Sequence, residues 1–171
     1  AASDILPHGD GRKVVLGDEL LDELRSAAGG VEPVCDEGAV HVYRPRSGLW
    51  EPVRQDALTV MAQAHDGRLV FAGVDAEGEV KYKPLCLGGR QCKEAGGCAA
   101  RKCASPGFFG AAQAGVPVLD GFVDADGAGW RSGPIGPEHR ARNGLPWTAD
   151  ARATCPGWET FLGQALVGLR G

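Results

Sequence analysis

Apolar residues return at helical spacing in several stretches of the chain and alternate in others. Leu20, Leu21, Leu24, Ala27 and Ala28 fall on one stripe after Gly17-Asp18, and Gly29-Gly30 ends the run. Leu58, Met61, Ala62 and His65 share a second stripe in a helix predicted over 55–64. The last stripe is the widest: Trp158, Phe161, Leu162, Ala165, Leu166 and Leu169 sit at i, i+3, i+4, i+7, i+8 and i+11. Thr154 can cap that helix, and Pro156 suits its first turn. Strand-like runs separate these stripes. Residues 34–43 read as one strand, 44–48 as a turn, and 49–53 as the returning strand. That hairpin would set Tyr43 against Trp50, an aromatic cross-strand pair of the kind that stabilises two-stranded ribbons. Residues 69–74 and 80–83 predict a second strand pair around 75–78. Residues 116–119 and 122–123 predict a third around Asp120-Gly121.

The pattern describes an α+β protein: a mostly helical single domain over residues 1–171 with two or three small antiparallel hairpins. Its 27 glycines agree with a turn-rich fold. No apolar run approaches the ~20 residues that span a bilayer, and residues 1–30 carry no signal-peptide pattern, so a cytoplasmic protein is expected.

Net charge is −4, which argues against strong autonomous nucleic-acid binding, because phosphate neutralisation supplies most non-specific affinity. The charge is unevenly placed, however. Residues 1–40 are acidic, while 81–103 carry Lys81, Lys83, Arg90, Lys93, Arg101 and Lys102 against Glu94 alone. These six cations are the candidate nucleic-acid-binding residues; the alternative is an ordinary solvated helix face. The paired acids Asp18-Glu19 and Asp22-Glu23 suit the first turn of a helix and its dipole.

Cysteines stand at 35, 86, 92, 98, 103 and 155. Cys86, Cys92, Cys98 and Cys103 form a tight run and are the candidate zinc ligands of an alternative reading, a zinc-binding DNA-interaction module. Apart from Cys98-x4-Cys103, their spacing lacks the short knuckles of structural zinc sites. A buried helical face fits better, with Cys92, Ala95, Ala99 and Cys103 at i, i+3, i+7 and i+11. On such a helix Cys98 points elsewhere and cannot share a metal without local unwinding. Gly96-Gly97 count against the helix, since each interior glycine costs about 1 kcal/mol. No cofactor is expected beyond that zinc alternative.

Other chemistry finds little support. No Gly-x4-Gly-Lys-Ser/Thr loop is present. Asp124-x-Asp126-Gly127 opens like a calcium loop but places Ala128 and Ile135 where oxygen ligands are required, so a tight turn between strands is expected. His8, His41, His65 and His139 are scattered, and His139 is expected to bond the backbone of its loop. Trp50 and Trp158 read as core residues, whereas Trp147 is the tryptophan best placed to stack on a base. Nothing marks a catalytic group.

Residues 106–166 run through the aromatic pair Phe108-Phe109, the stretch Val116-Pro117-Val118-Leu119-Asp120-Gly121, the step Pro137-Glu138-His139-Arg140, and Cys155-Pro156-Gly157-Trp158 opening the last helix. This order resembles the domain that precedes the helicase motor in phage, plasmid and poxvirus primase–helicases. The Tyr43-x4-Gly48-x-Trp50 spacing is similar to the opening hairpin of the same domain, so the resemblance reaches roughly three-quarters of the chain. It implies a non-catalytic accessory region of a replication protein, encoded ahead of a hexameric ATPase in the same chain. It also implies weak contact with DNA, homo-oligomerisation of the full-length protein, no membrane partner, and a short helix just before Phe108-Phe109. The motor would begin near Gly171.

Overall fold

The structure, a computed structural model, describes residues 11–112, 115–119, 121–126 and 129–146. The predicted last helix, Cys155, Trp147 and Trp158 lie outside the described residues. The α+β class holds: among the described residues three helices alternate with small antiparallel strand sets.

Helix α1 (Gly11–Ala27) begins well before Gly17, not after it as the sequence suggested. Gly17 lies inside the helix because α3 (Gly89–Lys102) packs directly on it. A Cβ there would stand 3.0 Å from Cys98 Cβ and 3.2 Å from the backbone nitrogen of Ala99. The longer helix carries one stripe, Leu16, Leu20, Leu24 and Ala28 at its end, entirely buried. The acids of α1 are therefore not first-turn residues. Glu19 accepts a 2.6 Å bond from Arg68, Glu23 lies 3.2 Å from His65 Nε2, Asp18 pairs with Lys102, and Asp22 pairs with Arg25.

The predicted strand over 34–43 is divided. β1 (Val34–Asp36) turns back into β2 (Ala39–Arg44), with Asp36 opposite Ala39. The two loop residues, Glu37 and Gly38, have φ of 51° and 79°. Positive φ at both positions is what a tight hairpin of this kind demands, and Gly38 meets it without a Cβ penalty. β3 (Leu49–Pro52) completes the sheet and sets Tyr43 opposite Trp50, as the spacing foretold, with ring centres 5.9 Å apart. Helix α2 (Gln55–Gln63) and the ribbon of β4 (Leu69–Val74) and β5 (Val80–Pro84) match their predicted spans closely.

Helix α3 runs through Gly96-Gly97 despite their propensity cost. At Gly96 the cost has a packing reason, because a Cβ would meet Gln55 Nε2 at 3.3 Å and Leu58 Cβ at 3.6 Å where α2 crosses. The predicted third hairpin becomes a three-stranded sheet of β6 (Val116–Val118), β7 (Gly121–Asp126) and β8 (Gly129–Gly133). Asp124 and Asp126 of the calcium-like segment lie on β7, where Asp126 pairs with Gly129 of β8, while Gly127 and Ala128 lie outside the described residues.

Among the described residues two apolar clusters hold the three helices, the first sheet and the root of the ribbon together. Leu16, Leu20, Ala62, Val70, Leu85, Cys92, Ala95 and Ala99 join the three helices to the root of the ribbon. Leu24, Ala28, Val40, Val42, Tyr43, Trp50, Leu58 and Phe109 join α1 and α2 to the first sheet. The second cluster is closed by hydrogen bonds as well. Trp50 Nε1 donates to the Pro137 carbonyl at 3.0 Å and Tyr43 donates to that of Ile135 at 3.2 Å. Arg140 lies over the Phe108 ring, 4.4 Å from its centre, and Arg142 over Phe109 at 4.7 Å. His139 bonds the backbone of its own loop, its Nδ1 accepting from Gly136 N–H at 3.0 Å, as expected from its place beside Arg140.

Asp36 pins the turn after α3. Its carboxylate accepts from the N–H groups of Gly107 at 2.9 Å, Phe109 at 3.0 Å and Glu37 at 3.0 Å. The bond from Phe109 N–H, helped by those of Gly107 and Glu37, holds its pKa below the usual carboxylate value against the opposing effect of burial. A depressed folded-state pKa gives stability that is present above the unfolded value, about 3.9, and is lost as pH falls through the folded one. Urea midpoints measured between pH 7 and pH 3 are expected to drop on acidification. Asp36→Asn is expected to start lower at pH 7 and to show a shallower drop; an unchanged pH slope in the variant would remove Asp36 from this role.

Candidate nucleic-acid interface

Helix α3 presents different chemistry to different sides because a helix turns about 100° per residue. Cys92, Ala95 and Ala99 face the core and are fully buried. Arg90, Lys93, Glu94, Gly97 and Arg101 recur at i, i+3, i+4, i+7 and i+11 on the opposite side. With Lys13 of α1 they line an open cleft of about 580 Å³. Lys13 lies one turn before Gly17, the residue at which α1 meets α3, and that packing brings the lysine to the cleft.

Of the six candidate cations, the structure brings three together. Arg90 and Arg101 flank the cleft and Lys93 stands between them. Arg90 pairs with Glu94 at 3.0 Å, both side chains well exposed, so the pair contributes little stability and yields readily to a ligand. Arg101 donates to Cys98 Sγ at 3.1 Å. Lys93 has no ion-pair partner among the described residues. Lys102, about 120° around the helix from Arg90, is turned to α1 and paired with Asp18. Lys81 lies on the separate β4–β5 ribbon, 3.6 Å from Asp75, and Lys83 sits on the same strand opposite Val70. The contiguous run of charge in the sequence is thus divided among a cleft, an interhelical ion pair and a ribbon. Lys13 was not legible as a member, since it joins the others only through tertiary packing.

The four cysteines of the zinc alternative are not gathered at one point. Cys86 is exposed on the loop before α3, Cys92 is in the first core, and Cys98 faces α1. Cys103, the residue that ends α3, lies beside Cys35, whose backbone N–H donates to the Cys103 carbonyl at 2.8 Å. No group of three or more His, Cys, Asp or Glu side chains among the described residues is arranged to hold a metal ion. The physical reason is the helix itself, which sends 92 and 98 in different directions. Burial, with the neighbouring Cys35 thiol, pushes the Cys103 pKa up to about 11. Timed alkylation at pH 7.5 with peptide mapping is therefore expected to modify Cys86 long before Cys92 or Cys103. Equal rates at the three would contradict this arrangement.

Histidines give no catalytic grouping among the described residues. His41 is buried, its ring edge-to-face with Phe109 at 4.7 Å, and burial lowers its pKa. No described helix is long and apolar enough to cross a membrane. Compared with known proteins, the chain matches no family model, no curated protein and no solved structure.

Proposed function

We propose that this chain is the accessory region that precedes the motor of a phage- or mobile-element-type primase–helicase, and that the cationic face of α3 guides a nucleic-acid strand toward that motor. The observation that carries the DNA-guiding part is the cleft itself, in which Arg90, Lys93 and Arg101 of one helix meet Lys13 of another. Cations held on rigid helices at one open surface suit a chain of phosphates. The resemblance of 106–166 and of the Tyr43–Trp50 hairpin carries the family part. In this reading the region hydrolyses no nucleotide, the partner is an ATPase unit following it in the same polypeptide, and oligomerisation belongs to ring assembly. The net charge of −4 keeps binding weak and confined to the cleft.

The test is charge reversal. Fluorescence anisotropy with a labelled 20-nucleotide oligothymidylate at 50 mM salt is expected to show weak binding by the parent chain. Lys93→Glu with Arg101→Glu is expected to lower affinity by more than about tenfold, while Lys81→Glu on the ribbon changes it far less. Equal losses from both variants would move the interface away from the cleft.

A further inference from the structure

Gly97 lies on the cleft face of α3, and no other described helix or strand comes within contact distance of a Cβ placed on it. Gly17 and Gly96 are small because a neighbouring helix lies on them. Among the described residues a Cβ on Gly97 would meet only the far end of the Arg101 side chain, Nη1 at 3.5 Å, an ordinary contact distance. Glycine in mid-helix lowers stability, and here no neighbour among the described residues requires it. What the missing side chain does leave is a bare patch of helix surface on the cleft, one turn from Lys93 and one turn from Arg101.

We infer that Gly97 is the seat for one phosphate of the bound strand. The phosphodiester lies against the bare helix surface while Lys93, Arg101 and Lys13 close around it. Among the described residues no aromatic ring lines the cleft, so the strand is held there by its backbone without stacking or reading of bases. This rests on the DNA-guiding reading and makes it specific, since it places the ligand on the residue that a purely structural account leaves unexplained. A side chain at 97 would lift the phosphate out of reach of the cations around it.

The expected signature is a split between stability and binding. Gly97→Ala and Gly97→Leu are expected to melt at or above the temperature of the parent. Both are expected to bind the oligothymidylate more weakly, Leu more than Ala, with a loss of about tenfold for Leu as a charge-assisted contact is removed. Inorganic tripolyphosphate is expected to compete with the oligonucleotide in the parent and less well in Gly97→Leu. Position 97 variants that bind like the parent, while Lys93→Glu with Arg101→Glu does not, overturn the seat and leave the cleft reading standing. If neither set weakens binding, both readings fall. Binding of tripolyphosphate without the oligonucleotide keeps the phosphate seat and removes nucleic acid as its ligand. A lower melting temperature for Gly97→Leu shows that the glycine serves packing, and overturns the inference.

Discussion

Trp50→Ala is expected to lower the free energy of unfolding by about 3–5 kcal/mol. The side chain is 2 % exposed and lies among three other rings, with centres 5.0 Å away at Phe108, 5.9 Å at Tyr43 and 6.2 Å at Phe109. Alanine leaves a cavity bounded by a sheet on one side and the turn after α3 on the other, so neither wall can move in to fill it. The indole N–H also holds the Pro137 carbonyl, a residue far along the chain. The loss is then a large fraction of the roughly 5–15 kcal/mol that holds a domain together. Trp50→Phe separates the two contributions. It keeps most of the apolar contact, removes the hydrogen bond, and is expected to cost about 1–2 kcal/mol. Urea unfolding followed by circular dichroism measures both. A cost for Trp50→Ala below about 1 kcal/mol would mean that the aromatic cluster does not bind the 134–142 segment to the first sheet.

Gly17→Leu is expected to cost about 3 kcal/mol or more, at or beyond the upper end of ordinary overpacking. The obstacle at this position is backbone: a new Cβ would lie 3.2 Å from the Ala99 nitrogen and 3.3 Å from the Ala95 carbonyl oxygen, with Cys98 Cβ at 3.0 Å. Backbone cannot rotate aside, so α1 and α3 must separate along the line that buries Leu16, Leu20, Ala95 and Ala99. Gly17→Ala is a closer contest. A shift of a few tenths of an ångström would accommodate the methyl group, and the helix gains about 1 kcal/mol from losing a glycine, so little net change is expected. Full stability in Gly17→Leu would show that the two helices do not cross there. The same variant is expected to weaken DNA binding as well, since Lys13 reaches the cleft through this crossing.

The parts of the fold legible in the sequence were those decided locally. The Tyr43–Trp50 pairing follows from alternation and a glycine turn, and α2 from a clean apolar stripe. The β4–β5 ribbon follows from two short runs carrying Val and aromatic residues around an acidic turn. Two of the misreadings share one cause, that a glycine's role depends on what packs against it. Gly17 reads as a helix start until α3 is placed on it, and Gly96 reads as a helix breaker until α2 is. Gly38 was passed over inside a presumed single strand, although Asp36-Glu37-Gly38 carries a turn signal. The cationic site was half legible. Lys93, Arg90 and Arg101 could be placed on one side of a helix by counting, and the same count puts Lys102 elsewhere. Lys13 could not be added, because no local rule states which face of α1 meets α3. Asp36, which ties β1 to the turn at 107–109, was likewise invisible to local reading, since its partners stand some seventy residues away.

The measurement that bears most directly on the account is the salt dependence of single-strand binding by the 171-residue chain. Release of counterions by three or four cations around a phosphate backbone gives a slope of log affinity against log salt of about −2 to −3. That slope is expected to shrink by about 0.7 for each cleft cation neutralised. Affinity that does not change between 50 and 200 mM salt, or a slope unaltered by Lys93→Ala and Arg101→Ala, would contradict a phosphate-binding face on α3.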